Sequence, residues 1–509
     1  MGMNHSNMGR GMMGLDSQQS GFLPGEGVDV QSLPEAKQSE VLEVTEGQVI
    51  SLNPTLVKKT INGKSLPMYG YNGQIPGPMI RAKQGTTITV DVRNDIELPT
   101  TIHWHGIRLE NGNDGVPDVT QKVIEPDGTF RYTVIFPDEG IYWYHPHVRE
   151  DIEQDMGLYG NLLVIPEEDD AYAPVNASEV AVLDDLLLDK SGNAVPYGIK
   201  NTNFGLMGRF GNTFLVNGDT SYERTFKVGS VVRFYFTNVA NARPFRISIP
   251  GARMKLVGAD VGRYEKESFI ESITLGPAER SIVDVYFEEA GTYVLRHESP
   301  VRTEDLGTFT VTDESATPDL TSAFKELRTN ADVTTDIDAF RSYFQKPVDK
   351  TLRLTISMGM MGQVNGMQHG KMMGGASADG IEWEDDNMMN AQMSAEMMDW
   401  NMVDESTGKK NMDIQWQFKT GDVVKVRIIN DKESAHPMQH PMHFHGQRFL
   451  VLSMDGKQND NLVWKDTVQI PAGSTADLLF DMSNPGDWMF HCHIAEHLTD
   501  GMMGLMKVR

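Results

Sequence analysis

Ten of the fourteen histidines crowd into four short motifs: HWHG at 103–106, HPH at 145–147, HPMHFHG at 440–446 and HCHIAEH at 491–497. On an extended strand, residues i and i+2 point to the same face, so each His-x-His presents two imidazoles toward one point. Four such pairs, two from each end of the chain, converge only if the two ends pack together, which places a metal site at their interface. A lone buried histidine is more often structural, but eight in four pairs leave little room for that reading. Imidazole alone does not choose among copper, zinc, iron and nickel. The last motif does. Cys492, His440 and His497, with a methionine at a distance, form the thiolate, two imidazoles and weak axial thioether of a blue-copper electron-transfer site. Met502, five residues beyond His497, is the axial candidate, and Met503 is the alternative. His491 and His493 flank Cys492 and point to the opposite face of the strand. One tripeptide therefore joins a thiolate on one copper to imidazoles on others, a short covalent route for an electron.

Three stretches share the layout that must carry these residues. Each opens on a strand that ends in Asn: QGTTITVDVRND from Gln84, VGSVVRFYFTNV from Val228 and TGDVVKVRIIND from Thr420. Each continues to a later strand pair: TFRYTVIFPDEGIYWYHPH from Thr129, ERSIVDVYFEEAGTYVLRH from Glu279 and ADLLFDMSNPGDWMFHCH from Ala476. Short alternating strands with Gly, Pro and Asp turns at regular spacing predict β-sandwiches. Three copies predict three, over about 40–167, 175–313 and 351–509, and a chain of 509 residues is too long for one core. Acidic stretches around 167–175 and 313–350 read as linkers, the second with a helical patch, LTSAFKELR. Residues 1–39 are expected to be disordered, because their start is rich in Gly, Ser, Gln and Met. The segment 358–412 lacks strand periodicity and interrupts the third sandwich. The middle copy has only Arg296-His297-Glu298 where the others carry His-x-His, so it is expected to bind no copper and His297 to be structural.

The net charge of -26 repels nucleic acid and anionic membranes and attracts cations. One cysteine excludes an internal disulfide. No uncharged apolar run is long enough to span a membrane, and MGMNHSNMGRGMM has no apolar core of the kind a signal peptide needs. A cytoplasmic protein, or one whose signal is missing from this sequence, is implied.

The four histidine motifs, in this order, resemble the multicopper oxidases, a family that includes laccases and bacterial cuprous oxidases. The resemblance runs from about residue 40 to the end. It implies three cupredoxin-like Greek-key β-sandwich domains in an all-β chain, and four copper ions. His440, Cys492, His497 and Met502 would hold the type 1 copper, and His103 and His443 the type 2. His105, His145, His147, His445, His491 and His493 would hold the type 3 pair. Asp114, in NGNDGVPD, resembles the acidic residue near the type 2 copper, although an Asp before Gly is also a common turn. Some bacterial members carry Glu directly after the second type 1 histidine. Here that position is Leu498, which leaves Glu496 or Asp500 to replace that proton path.

Thirteen methionines lie between Met358 and Met412. Thioethers select Cu(I), and their abundant Gly, Asp and Asn neighbours argue against a core helix. The segment resembles the Met-rich insertion of cuprous oxidases, which captures Cu(I) and screens the blue site from bulky phenols. Met358, Met360, Met361, Met367, Met372 and Met373 are candidates for substrate copper. So is His436, at a place where cuprous oxidases have an Asp; it is otherwise an exposed residue. The expected reaction couples one-electron oxidation of Cu(I), or alternatively a phenol, to reduction of dioxygen to water. Storage of copper without turnover is the competing reading, but storage needs neither a blue site nor an oxygen cluster. A monomer is expected. Copper detoxification would place the protein in the periplasm or outside the cell.

Overall fold

The computed structural model describes residues 21–199, 202–358, 377–385, 390 and 398–509. The buried asparagines that close the three opening strands show how local sequence sets the architecture. Asn94 donates through Nδ2 to the carbonyls of Leu98 and Ile124, Asn238 to those of Arg243 and Leu275, and Asn430 to those of Met438 and Ile470. Each amide stitches two segments of its sandwich together where a strand ends, satisfying carbonyls that would otherwise be buried without donors. In the first and third copies the stitched segments lead into His103 and His440.

The first sandwich has a five-stranded sheet in the order Val41–Glu43, Met79–Lys83, Gly160–Ile165, Gly140–His145, His103–His105. A three-stranded sheet of Val49–Ser51, Thr87–Arg93 and Thr129–Ile135 belongs to the same part of the chain, as does the hairpin Pro54–Ile61 with Lys64–Tyr71. The middle and third parts repeat one topology, a six-stranded and a five-stranded sheet with equivalent strand order. In the third, the six-stranded sheet runs Met398–Asp404, Lys350–Met358, Asp422–Asn430, Thr475–Met482, Arg448–Met454, Lys457–Gln458. Its five-stranded sheet runs Gln415–Phe418, Met503–Val508, Gly486–Cys492, His440–Phe444, Thr467–Ile470. The fold is thus all-β, built from cupredoxin-like sandwiches.

Two expectations need correction. Residues 21–39 are ordered: Phe22 is buried and pairs with Tyr197, and the carbonyl of Pro34 accepts from the amide of Lys58. Composition misled here because a terminal segment can be held by contacts with distant strands. Residues 358–412 do contain a strand. Met398–Asp404 pairs with Lys350–Met358 along its length, burying Met398, Trp400 and Met402 on one face. Among the described residues, no helix is long and apolar enough to cross a membrane.

The parts are locked by charge as well as by apolar packing. Arg280 of the middle sandwich donates Nη1 to Asp466 Oδ1 of the third at 2.7 Å and Nε to the carbonyl of Ile141 in the first at 2.9 Å. Both charged side chains are fully buried. A paired charge at such depth is tolerated only with its hydrogen bonds complete, and this pair has them.

Candidate metal centre

Strands His103–His105 and Gly140–His145 are antiparallel neighbours with His103 opposite His145, and His440–Phe444 lies beside Gly486–Cys492 with His443 opposite His491. The two strand pairs bring their histidines together, and eight imidazoles meet between them. The glycines that end HWHG and HFHG are required: Gly106 and Gly446 have φ of +85° and +63°. A Cβ at Gly106 would collide with Asp466 Oδ2, and one at Gly446 with the Trp488 indole.

Most of these rings use one nitrogen as a tether and leave the other for the cavity. His103, His145 and His491 donate through Nδ1 to the carbonyls of Asp114, Pro146 and Cys492 at 2.7, 2.8 and 2.9 Å. His443 Nδ1 donates to the Asp466 carbonyl at 3.0 Å. His147 Nδ1 lies 3.2 Å from Glu150 Oε1, and His445 Nδ1 3.0 Å from Asp114 Oδ2. His105 is reversed, with Nε2 held by Asp466 Oδ1 at 3.1 Å and Thr467 Oγ1 at 3.0 Å. The remaining nitrogens, Nε2 of His103, His145, His147 and His443 and Nδ1 of His105, are buried with no hydrogen-bond partner among the described residues; both nitrogens of His493 are in that state.

These nitrogens sort the histidines more finely than sequence can. Ligand atoms of His105, His145 and His493 lie within 4.8 Å of one another, as do those of His147, His445 and His491, and those of His103, His105 and His443. The six residues assigned to a binuclear pair thus divide into two trios, with His105 also adjoining the His103 and His443 pair. His445 and His491 bring their Nε2 atoms to 3.0 Å while each Nδ1 is committed as a donor to oxygen. Two imine lone pairs facing one another repel, and a cation between them turns that repulsion into attraction. Burial, reinforced by neighbouring imidazoles, pushes His145, His147, His445, His491 and His493 well below the ordinary histidine value. Neutral imidazole is the ligating form.

The second cluster lies on the other face of the same strand. His440 Nδ1 is 3.4 Å and His497 Nδ1 3.6 Å from Cys492 Sγ, and all three residues are buried. Burial, and then His436, push His440 down to about 3, while burial pushes the Cys492 thiol up. Such a thiol ionises readily only beside a cation. Met502 is buried in the apolar cluster that contains Cys492, whereas Met503 is half-buried against Val116, Met489 and Leu498.

Other expected residues are placed as follows. Asp114 is buried and joins two of the imidazoles, its carbonyl to His103 and its carboxylate to His445. Glu496 is buried beside the Asn241 amide, and burial, then Asp151 and Asp155, push its carboxyl well up. Leu498 lines a cavity of about 310 Å³ that reaches His147 and Glu150; Glu496 and Asp500 do not line it. Asp500 accepts instead from the Trp400 amide. His436 is buried rather than exposed. Met358 ends a strand, and Met360, Met361, Met367, Met372 and Met373 lie outside the described residues. His297 is buried against Phe214, Phe245 and Trp383, and its Nδ1 accepts from the Arg246 amide.

Sequence reasoning missed Asp466, which orients His105 and His443. Burial alone would raise its carboxyl, but Arg280 and the hydrogen bonds from the histidines hold it well below the usual carboxylate range. It also missed Glu150, for which only its place three residues after His147 was a signal.

Three family models described as multicopper oxidase match residues 55–169, 187–318 and 381–509. The chain belongs to the multicopper oxidase family; it is an oxidoreductase, and its cofactor is copper. A multicopper oxidase of Staphylococcus aureus is 27% identical over 452 residues, covering 86% of this chain and 83% of its own. Copper resistance protein A of Escherichia coli is 24% identical over 584 residues, covering 88% of this chain and 90% of that protein. Among solved structures, the multicopper oxidase from Campylobacter jejuni, described as a metallo-oxidase, superposes with a TM-score of 0.69 at 24% identity, over 96% of this chain and 98% of its own. That likeness speaks for the fold. Copper fits the donor set found here: unprotonated imidazole nitrogens aimed into one cavity, and a thiolate-forming cysteine between two imidazoles.

Proposed function

We propose that this protein oxidises Cu(I) at the blue site and delivers the electrons to the histidine cavity, where dioxygen becomes water. Four Cu(I) ions give four electrons and become Cu(II); dioxygen takes these with four protons and forms two waters. The observation that carries the reading is the strand ending at Cys492. Its thiol lies against His440 and His497, while its neighbours His491 and His493 enter the opposite cavity.

His440, Cys492, His497 and Met502 would hold the type 1 copper, and His103 with His443 the type 2. His105, His145 and His493 would hold one type 3 ion, and His147, His445 and His491 the other. Bound copper supplies one-electron redox chemistry at the first site and a place for dioxygen at the others. The chain itself does the positioning. Asp114 and Asp466 fix ring orientation, as carboxylates beside metal-bound histidines do. Asp114 is also the carboxyl placed to hand protons into the cavity, with Glu496 in a supporting acidic group.

Cu(I) as donor is supported by the methionines of segment 358–412, by His436 close to His440, and by the acidic net charge. Copper detoxification outside the cytoplasm follows from this donor. Oxygen uptake with Cu(I) and with a phenol, in the full chain and in a chain lacking residues 359–376, tests the reading. This deletion spares the strands Lys350–Met358 and Met398–Asp404. It should lower Cu(I) turnover and raise phenol turnover, and equal loss of both would reject Cu(I) as the preferred donor.

A further inference from the structure

The cavity of about 310 Å³ that reaches His147 is walled by residues to which the proposed function gives no role. Three methionines, Met412, Met489 and Met503, line it together with Val116, Leu498 and Leu505. They come from three separate elements: the helical turn Asn411–Asp413, the strand Gly486–Cys492 and the strand Met503–Val508. Met412 closes the methionine-rich segment of the sequence, yet it packs here, against the small apolar cluster of Val116, Met489, Leu498 and Leu505, and not in the cluster that holds Cys492.

Strand register ties two of these thioethers to the histidines. Met489 precedes His491 by two residues and so shares its face of the strand. Met503 stands directly opposite His491 in the antiparallel pairing, and Leu505 opposite Met489. Side chains paired in this way are neighbours. One face of the strand that ends at Cys492 therefore reads thioether, imidazole, imidazole, from Met489 through His491 to His493. His147 also lines the cavity, and His147, His445 and His491 are a trio whose ligand atoms converge. The His103 ring lies 4.1 Å, centroid to centroid, from that of His445, so the other imidazoles begin where this trio ends. Charge does not select what enters, because Asp118 and Asp487 around the cavity are matched by Arg149 and Lys507. Donor softness does, since thioethers favour Cu(I) over harder cations. Methionines serving only as core filler would be packed solid, whereas these surround open space.

We propose that this cavity is the port through which the histidine cluster is loaded with its own copper, as Cu(I), with Met412, Met489 and Met503 forming a transient thioether site that passes the ion to His147, His445 and His491. The transfer is ligand exchange: copper–sulfur bonds break as copper–nitrogen bonds form, the ion stays Cu(I), and no electron or proton is exchanged. The port is separate from electron intake at the blue site, whose ligands do not line this cavity. The inference rests on the assignment of those three histidines to copper and not on the identity of the electron donor.

The test follows loading of the full-length, copper-free protein under nitrogen. Cu(I) is supplied as its acetonitrile complex, and a Cu(I) chelator stops uptake at set times. After removal of the chelator, total bound copper is measured by atomic absorption, and the type 1 ion by blue absorption on oxidation with ferricyanide. The difference is the copper in the histidine cavity. Met412, Met489 and Met503 are replaced together by leucine, a swap that keeps apolar volume and costs little stability. Cavity loading from Cu(I) should slow at least about tenfold, the order expected when soft ligands are taken from the path of a soft ion. Loading from Cu(II), and filling of the blue site, should change by less than about twofold, since neither uses the thioethers. Unchanged Cu(I) loading overturns the port. Equal slowing of Cu(I) and Cu(II), or of the blue site, overturns the thioether site, because only packing was then disturbed. A wild-type protein that fills the blue site and takes no further copper refutes the histidine assignment instead, so the two readings fail separately. Should the triple variant not fold, Met412→Leu with Met489→Leu carries the same comparison.

Discussion

The two faces of one strand have been built for different particles. On the Cys492 side the surroundings are apolar: Trp400, Met402, Met438, Met442, Ile494 and Met502 share one core cluster with the thiol. On the His491 and His493 side, most rings are tethered to oxygen and the carboxyls of Asp114, Asp466 and Glu150 reach the imidazoles. A dry apolar shell suits a site that only gains and loses electrons, since little must reorganise around it. A cavity that turns dioxygen into water needs proton carriers, and on the second face carboxyls stand directly against the imidazoles. The lesson is that a single β-strand, by alternation alone, can separate electron chemistry from proton chemistry by the width of its backbone.

The strongest way to break this contrast is to cut the link between the faces. Cys492→Ser should abolish the blue absorption and bring oxygen uptake to background, while circular dichroism stays that of the folded protein. Uptake that persists would mean that electrons reach the histidine cavity by another path.

Acid should strike both faces of the metal-free protein together. Burial holds His440 and His497 on one side and His145, His147, His445, His491 and His493 on the other below their ordinary 6.5. Below pH 6.5 the unfolded chain therefore binds more protons than the folded one. Stability is complete above that pH and drains as pH falls toward the folded values, by up to about 1.4 kcal/mol per unit for each ring. Urea midpoints between pH 7.5 and 4.5 should drop steeply, and a flat profile would contradict neutral burial of the rings.

Arg280→Met tests the polar face alone. It leaves Asp466 buried without its countercharge, and unfolding free energy should fall by about 3–5 kcal/mol, read by denaturant titration. Asp114→Asn is subtler, since it keeps the side chain's shape and removes its capacity to pass a proton. Oxygen reduction should slow by about 10²-fold while the blue absorption and the rate of type 1 reduction remain unchanged. Loss of the blue absorption in that variant would show that the two faces are not independent.

Much of this was legible in the amino-acid order. The His-x-His spacing announced paired imidazoles, and the HCH tripeptide announced the two-faced strand, because both depend only on strand periodicity. The terminal Asn of each opening strand was visible as a repeat, but its work as a stitch between segments is a long-range matter. Asp466 left no signal, since a carboxylate between Lys and Thr becomes meaningful only when Arg280, 186 residues earlier, is folded against it. Trp400 was hidden by its setting. The alternation of Met398, Trp400 and Met402 was present in the sequence, but the surrounding Met, Gly, Asp and Asn masked it.

The meeting of distant strands also dictates when copper can be held. Each histidine trio proposed for type 3 copper combines a residue from the first third of the chain with one from the last twenty, and Arg280 bridges the three sandwiches behind Asp466, which orients His105 and His443. No partial chain emerging from synthesis owns a complete site. On the proposed assignment, a full complement of copper requires that every sandwich has docked.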